Sequence, residues 1–391
     1  MTEETLWQRR ACVVTYTEAT KATEVYGFAG NSGKVNLEGQ LLAGDMPSDT
    51  VFIFMHPTST LQLLPMPMAL ADSGVHVLCA ASRYARNDTA LIMEKVVLDL
   101  GAWIRHARDV MGYARVVLVG WSGGGSLSLF YQAQAEAPTI THTPAGDPVD
   151  LTTAGLIPAD GVIFIAAHLS RAETMTEWLD PSVRDEMNPD DRDLELDIYS
   201  PDCPNKPPFS PEFIARFRDA QRARNRRITK AAQDMLADLK ARGGDEVERP
   251  FITHRTMCDV RWLDPAIDPN GRKPGWCYMG VPQTVNVGPV GLGRFATLRS
   301  WLSQWAYDLS NARGPLNAAR IRRTPVLQIV NQADDAVPAS HNPAIRDALA
   351  TADKTYVEID GATHYYLGQP ELLARCVAEV LDWSRTRDLL T

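Results

Sequence analysis

The sequence predicts an α/β protein: a doubly wound, mostly parallel sheet interrupted by an inserted helical segment. Three observations carry that reading. Short runs that are apolar throughout alternate with helix-type segments, the pattern of strands buried on both faces. Between about residues 169 and 314 this rhythm stops, and the chain is rich in charge, proline and tryptophan. From residue 315 to 391 the strand–helix rhythm returns. Strand–helix–strand order of this kind calls for helices packed on both faces of one sheet.

In the first block, residues 1–168, ACVVTYTE (11–18) and KVNLEGQLLAG (34–44) read as two strands. VFIFMH (51–56), VHVLCAA (75–81), RVVLVG (115–120) and GVIFIAAH (161–168) are four more. The segment 90–112 is helical, with Ile92, Val96, Leu100, Trp103 and Ile104 on one stripe and Met111–Gly112 closing it. SLSLFYQAQAE (126–136) is a second helix. In the insertion, 211–244 has a helical pattern that stops at Gly243–Gly244, and 293–314 aligns Phe295, Leu298, Trp301, Leu302, Trp305 and Leu309 on one helical face. The stretch 250–280 between them is irregular and full of turn signals. No apolar β run occurs there before residue 325, so a helical insertion is expected. In the last block, TPVLQIV (324–330) and KTYVEID (354–360) are strands, and 341–353 and 370–386 are helices.

Composition limits the function classes. The 391 residues are 45% hydrophobic, enough for one large core or two smaller ones. A net charge of −9 argues against general nucleic-acid binding, which needs a basic face. The arginine-rich run RFRDAQRARNRR is interleaved with Asp219 and followed by Asp234 and Asp238, so it reads as a solvated helix face. Cysteines 12, 79, 203, 258, 277 and 376 form no CxxC pair and no metal-finger spacing, which suits free thiols in a reducing compartment. MTEETLWQRR lacks the apolar stretch of a signal peptide, and no run reaches the roughly 18 apolar residues of a membrane span. A cytoplasmic protein with a small-molecule partner, no membrane and no nucleic acid is expected; a homo-oligomer is compatible with the sequence. DPAIDPNGR (264–272) is oxygen-rich but lacks EF-hand spacing, and neither a metal nor a cofactor is expected.

The chemistry centres on VVLVGWSGGGSLSLF (116–130). A phosphate loop fits poorly: no lysine completes a Walker A pattern, and the dinucleotide glycine register fails from Gly120 and from Gly123. Gly120-Trp121-Ser122-Gly123-Gly124 instead matches G-x-S-x-G, with a strand before it and a helix after it, the context that motif needs. A serine hydroxyl needs a base, and the base an orienting carboxylate. Of eight histidines, His76, His106, His142, His168, His254 and His341 carry no matching pattern and read as structural. His364 lies in EIDGATHYYLG just after the last strand, at the sheet edge where open α/β sheets bind ligands. IVNQADDAVP, directly after strand 324–330, offers Asp334 or Asp335.

The elbow GWSGG, the loop NQADDAVP, the loop DGATH and the strand order together resemble the α/β-hydrolase superfamily, over both outer blocks and well over half the chain. That resemblance implies Asp334 as the acid, with Asp335 the fallback, beside Ser122 as nucleophile and His364 as base. It implies an oxyanion hole built from the Gly123 N–H and a donor in the loop after the third strand, which in the family often begins His-Gly. Here that loop reads Met55-His56-Pro57-Thr58, and proline has no N–H. By position the donor is the Thr58 N–H, with His56 holding the loop. The resemblance further implies that residues 169–314 form a helical cap, and Trp121, Trp301 and Trp305 are the expected substrate contacts. With the Leu/Met-rich TSTLQLLPMPMAL (58–70), these tryptophans suggest a bulky, mostly apolar acyl or alcohol group. The implied activity is hydrolysis of a carboxylic ester or lactone through an acyl-enzyme. Carbon–carbon cleavage of a diketone or ring-cleavage product would use the same triad, and a non-catalytic ligand-binding protein is the alternative of another class.

Overall fold

The central apolar runs become strands because each is covered on both faces, whereas the strands at the two sheet edges, Gln8–Thr17 and Lys354–Ile359, are mostly exposed or half-buried. The computed structural model describes residues 7–18, 33–289 and 291–390; residues 1–6, part of the segment read as lacking a signal peptide, lie outside the described residues. The strands in chain order are β1 (Gln8–Thr17), β2 (Lys34–Ala43), β3 (Thr50–Met55), β4 (His76–Ala80), β5 (Arg115–Ser122), β6 (Gly161–Ala167), β7 (Val183–Asp185), β8 (Asn188–Arg192), β9 (Pro250–Ile252), β10 (Phe295–Thr297), β11 (Val326–Asn331) and β12 (Lys354–Ile359). Eight of them form one sheet in the order β1-β2-β4-β3-β5-β6-β11-β12. β1 and β2 are antiparallel to their neighbours, and the six from β4 to β12 run parallel. Every residue of β3, β4, β6 and β11 is buried.

The helices are α1 (Pro65–Asp72), α2 (Met93–Asp109), α3 (Gly123–Glu136), α4 (Arg171–Trp178), α5 (Pro211–Arg242), α6 (Val260–Leu263), α7 (Pro282–Val287), α8 (Leu298–Ser300), α9 (Gly314–Ala318), α10 (His341–Ala348) and α11 (Pro370–Arg385). Alternation along β3 divides the core in two. Val51, Ile53 and Met55 pack with Leu100, Trp103, Ile104, Leu127 and Phe130 of α2 and α3. Phe52 and Phe54 pack with Met66 and Leu70 of α1 and Val380 and Leu381 of α11. The strand order reverses at β3, which lies between β4 and β5. The loops leaving β3 and β5 therefore diverge at their carboxyl ends and open a crevice.

The insertion is not wholly helical, as the sequence suggested. Two short antiparallel pairs, β7–β8 and β9–β10, accompany α5. Their side chains are mostly exposed, so no apolar run marks them. The helix expected over 293–314 is broken into β10, α8 and a π-helical turn at Trp301–Trp305. All five residues of that turn are buried, so the segment has no polar face to present, and a one-face periodicity could not describe it. Phe295, expected on the buried face, is 50% exposed. The Leu/Met-rich segment after β3 contains α1, whose Met66 and Leu70 turn into the core.

The arginine-rich helix is also more than a solvated face. α5 begins at its N-cap Ser210, whose hydroxyl accepts from the Phe213 N–H, with Pro211 in the first turn. Its Arg224 is only 1% exposed. That guanidinium donates to Glu186 at 2.7 and 2.9 Å and to the carbonyls of Asp180, His254 and Arg255 at 2.8, 2.7 and 3.2 Å. Gln221 and Asn225 are buried beside it, while Arg222 and Arg226 lie outward. All six cysteines are unpaired, five of them buried. Among the described residues no helix is long and apolar enough to cross a membrane. Arg224→Met takes a buried guanidinium away from Glu186, which keeps Arg227, and from three carbonyls, and is expected to cost roughly 3–5 kcal/mol of stability, read from urea unfolding.

Candidate active site

β5 delivers Ser122 to the crevice, and α3 starts at the next residue. Ser122 has φ 54° and ψ −125°, a left-handed conformation that side chains rarely adopt. The turn is so tight that glycines are required around it. A Cβ on Gly120 would lie 2.8 Å from the Gly124 carbonyl oxygen, and one on Gly124 would lie 2.5 Å from the Met55 carbonyl oxygen. The elbow is thereby pressed against the end of β3.

Two loops from the far side of the sheet meet this serine. His364 Nε2 lies 3.1 Å from Ser122 Oγ, and His364 Nδ1 lies 2.9 Å from Asp334 Oδ2. Both His364 and Asp334 are buried. The other Asp334 oxygen accepts from the N–H groups of Ala336 and Val337 at 2.7 and 2.8 Å, which fixes the carboxylate plane. Of the two acids the sequence left open, Asp334 is the one bonded to the histidine. The Asp335 carboxyl is pushed up from its ordinary pKa by burial and by the neighbouring Asp334 charge.

The histidine loop is tied to the acid loop by side chains that sequence reasoning did not single out. Asn331 donates to the Thr363 carbonyl at 2.8 Å and accepts from the Tyr366 hydroxyl at 2.6 Å. From the insertion, Asn270 donates to the Asp334 carbonyl at 2.8 Å. DPAIDPNGR is thus a brace for the acid loop. Glu177 of α4 meets His341 Nε2 of α10 at 3.2 Å, a second tie between insertion and core.

Ser122 opens into a cavity of about 170 Å³. The core contributes His56, Thr58, Ser59, Asp88, Trp121, Ser122, Gly123, His168, Ala336 and Tyr365; Arg171, Thr174, Trp178, Tyr278 and Leu292 of the insertion form the remaining wall. A larger hollow of about 610 Å³ along β1 and α2 shares none of these residues. Trp121 lines the cavity and packs on the histidine, with ring centroids 4.7 Å apart. Trp301 and Trp305, expected to touch substrate, do not reach it. Both are fully buried within the insertion's own core with Met175, Ile228 and Leu236. Trp305 acts at one remove, under the Arg171 guanidinium at 4.3 Å. The cavity's volume falls below the roughly 300 Å³ at which drug-sized pockets begin, so it admits a smaller group than the sequence suggested.

Of the two expected oxyanion donors, one differs from expectation. The Gly123 N–H is in the first turn of α3, where the helix dipole favours negative charge. The Thr58 N–H is instead engaged by its own loop, donating to His56 Nδ1 at 3.2 Å, and Ser59 N–H donates to the same nitrogen at 2.9 Å. His168, read as structural, lines the cavity; its Nδ1 lies 3.1 Å from Thr174 Oγ1. Burial, then the nearby charges of Arg171 and His364, hold His56 well below its ordinary pKa, and burial does the same for His168.

No family model matches this chain, and no curated protein matches its sequence. Among solved structures, DcsB in complex with its substrate analogue is similar at 12% identity over 97% of this chain and 99% of that one, with a TM-score of 0.52. Est1E from Butyrivibrio proteoclasticus is similar at 14% identity over 96% and 99%, with a TM-score of 0.47. A monoacylglycerol lipase from Paleococcus ferrophilus is similar at 14% identity over 90% and 100%, with a TM-score of 0.46. The fold is that of the α/β-hydrolases.

A fluorophosphonate probe is expected to label a single residue, Ser122. Peptide mapping by mass spectrometry should find the adduct there, none in Ser122→Ala, and a rate lowered by about 10³-fold or more in His364→Ala.

Proposed function

We propose that the protein is a serine hydrolase that cleaves a small carboxylic ester or lactone through an acyl-enzyme. The observation that carries this reading is the unbroken Asp334–His364–Ser122 relay ending in a cavity. His364 Nε2 takes the Ser122 proton as Oγ attacks the carbonyl carbon. Asp334, bonded to Nδ1, keeps that ring in the tautomer whose Nε2 accepts, and stabilises the imidazolium that forms. The carbonyl oxygen becomes an oxyanion against the Gly123 N–H and the amino end of α3. His364 then returns the proton to the leaving alkoxide, and a water activated by the same histidine releases the acid.

The insertion acts as a cap. Arg171, Thr174, Trp178, Tyr278 and Leu292 wall the cavity, and a wall that excludes water strengthens each polar interaction inside. The small volume favours short acyl groups. Among p-nitrophenyl esters, acetate and butyrate are expected to exceed decanoate in kcat/KM, and Trp178→Ala should move the preference towards longer chains. Asp334→Asn should lower kcat by about 10⁴-fold, whereas Asp335→Asn should change it far less. A paired assay on esters, lactones and diketones tests the reaction class: ester or lactone turnover supports this reading, and turnover of the diketone alone overturns it.

A further inference from the structure

Carbonyl attack calls for two fixed donors at the oxyanion, and only the Gly123 N–H is free among the backbone groups expected there. Position 57 is proline, and the Thr58 N–H is engaged by His56. We infer that the His56 side chain completes the oxyanion hole, its Nε2–H donating to the oxygen that becomes negative when Ser122 attacks. This rests on the serine hydrolase reading and adds a catalytic residue to it.

The hydrogen bonds fix the tautomer. Nδ1 accepts from two backbone N–H groups, Thr58 at 3.2 Å and Ser59 at 2.9 Å. Neither N–H can accept, so Nδ1 carries no proton, and a neutral ring holds its proton on Nε2. His56 is 8% exposed and lines the cavity that contains Ser122 and Gly123. Burial beside Arg171 and His364 keeps it uncharged. A neutral imidazole suits this place: it can donate without repelling the His364 imidazolium, and with Nδ1 already engaged it cannot act as a competing base.

Gly123 supplies an independent sign. The G-x-S-x-G pattern leaves that position free, yet it is glycine here. A Cβ on Gly123 would lie 2.5 Å from His56 Nε2, closer than any other atom it would meet. The ring edge that bears Nε2 therefore sits directly against the residue whose N–H is the first donor. Any side chain at 123 would push that edge away. In the step itself the Oγ–C bond forms, the carbonyl π pair moves to oxygen, and the Ser122 proton goes to His364; the His56 proton stays on Nε2.

Two substitutions separate donor from loop support. In His56→Asn the amide oxygen falls near Nδ1 and still accepts from the loop, but nothing reaches the Nε2 position. In His56→Gln the amide nitrogen extends to it. The expected kcat on p-nitrophenyl acetate falls by about 10²–10³-fold in His56→Asn, with KM little changed, and recovers at least about tenfold in His56→Gln. A His56→Asn kcat within about threefold of wild type overturns the inference. Should that variant misfold, ¹⁵N-histidine NMR of the wild-type protein decides, on titration with ethylboronic acid, which forms a tetrahedral anionic adduct with a reactive serine. A downfield move of the His56 Nε2–H resonance supports the donor, and an unmoved resonance in a formed adduct overturns it. Failure to form any adduct overturns the hydrolase reading instead.

Discussion

Ser122 is held at φ 54°, a conformation that costs a residue with a side chain on the order of 1–3 kcal/mol and survives only where its surroundings determine it. Three sets of contacts do so. β5 pairs with β6 up to Ser122 itself, with a register shift at Trp121/Ser122 where the strand turns away. The His168 N–H donates to the Ser122 carbonyl at 3.0 Å. α3 begins at Gly123, and the glycines beside it allow the elbow to press on the end of β3. The strain puts Oγ into the crevice and the first N–H of α3 beside it. The histidine loop, the acid loop and the loop after β3 are all placed relative to that one side chain.

Support for the site extends beyond the sheet. Asn331 at the end of β11 joins the two loops that carry Asp334 and His364. The insertion braces the acid loop through Asn270 and grips α10 through Glu177 and His341. Glu177 is itself held by Arg261, which pairs with the buried Asp259. Burial alone would raise the Glu177 carboxyl, but Arg261, foremost among the opposing charges, brings it well below the ordinary range. An ionised pair chain of this kind is expensive to break at one member, so the wall over Ser122 is anchored to the core by more than apolar contact.

The sheet was legible because burial on both faces writes itself as unbroken apolar runs, as in TVFIFM and VIFIAA. Ser122 and His364 were legible because their loops follow such runs directly, and Asp334 was narrowed to a pair in the same way. Hydrogen-bond direction was not legible. Residue types at 56–59 show that proline lacks an N–H, but not that the Thr58 N–H turns back to His56. Depth was not legible either. The tryptophans at 301 and 305 fit a helical stripe in sequence, yet the segment is buried all round and they serve the insertion's core. Arg224 fits a charged surface run in sequence, but its guanidinium caps carbonyls inside the protein. For the tryptophans and Arg224 the partners lie tens of residues away, beyond what local periodicity can encode.

The central claim is that Ser122 forms a covalent bond with an acyl group during turnover. Brief exposure to p-nitrophenyl acetate, acid quenching within milliseconds, and intact-mass and peptide analysis test it directly. The account predicts a transient acetyl group on the peptide that contains Ser122, appearing with a burst of p-nitrophenol and absent in Ser122→Ala. Turnover with no acetylated serine, or with the acetyl group on another residue, would contradict it.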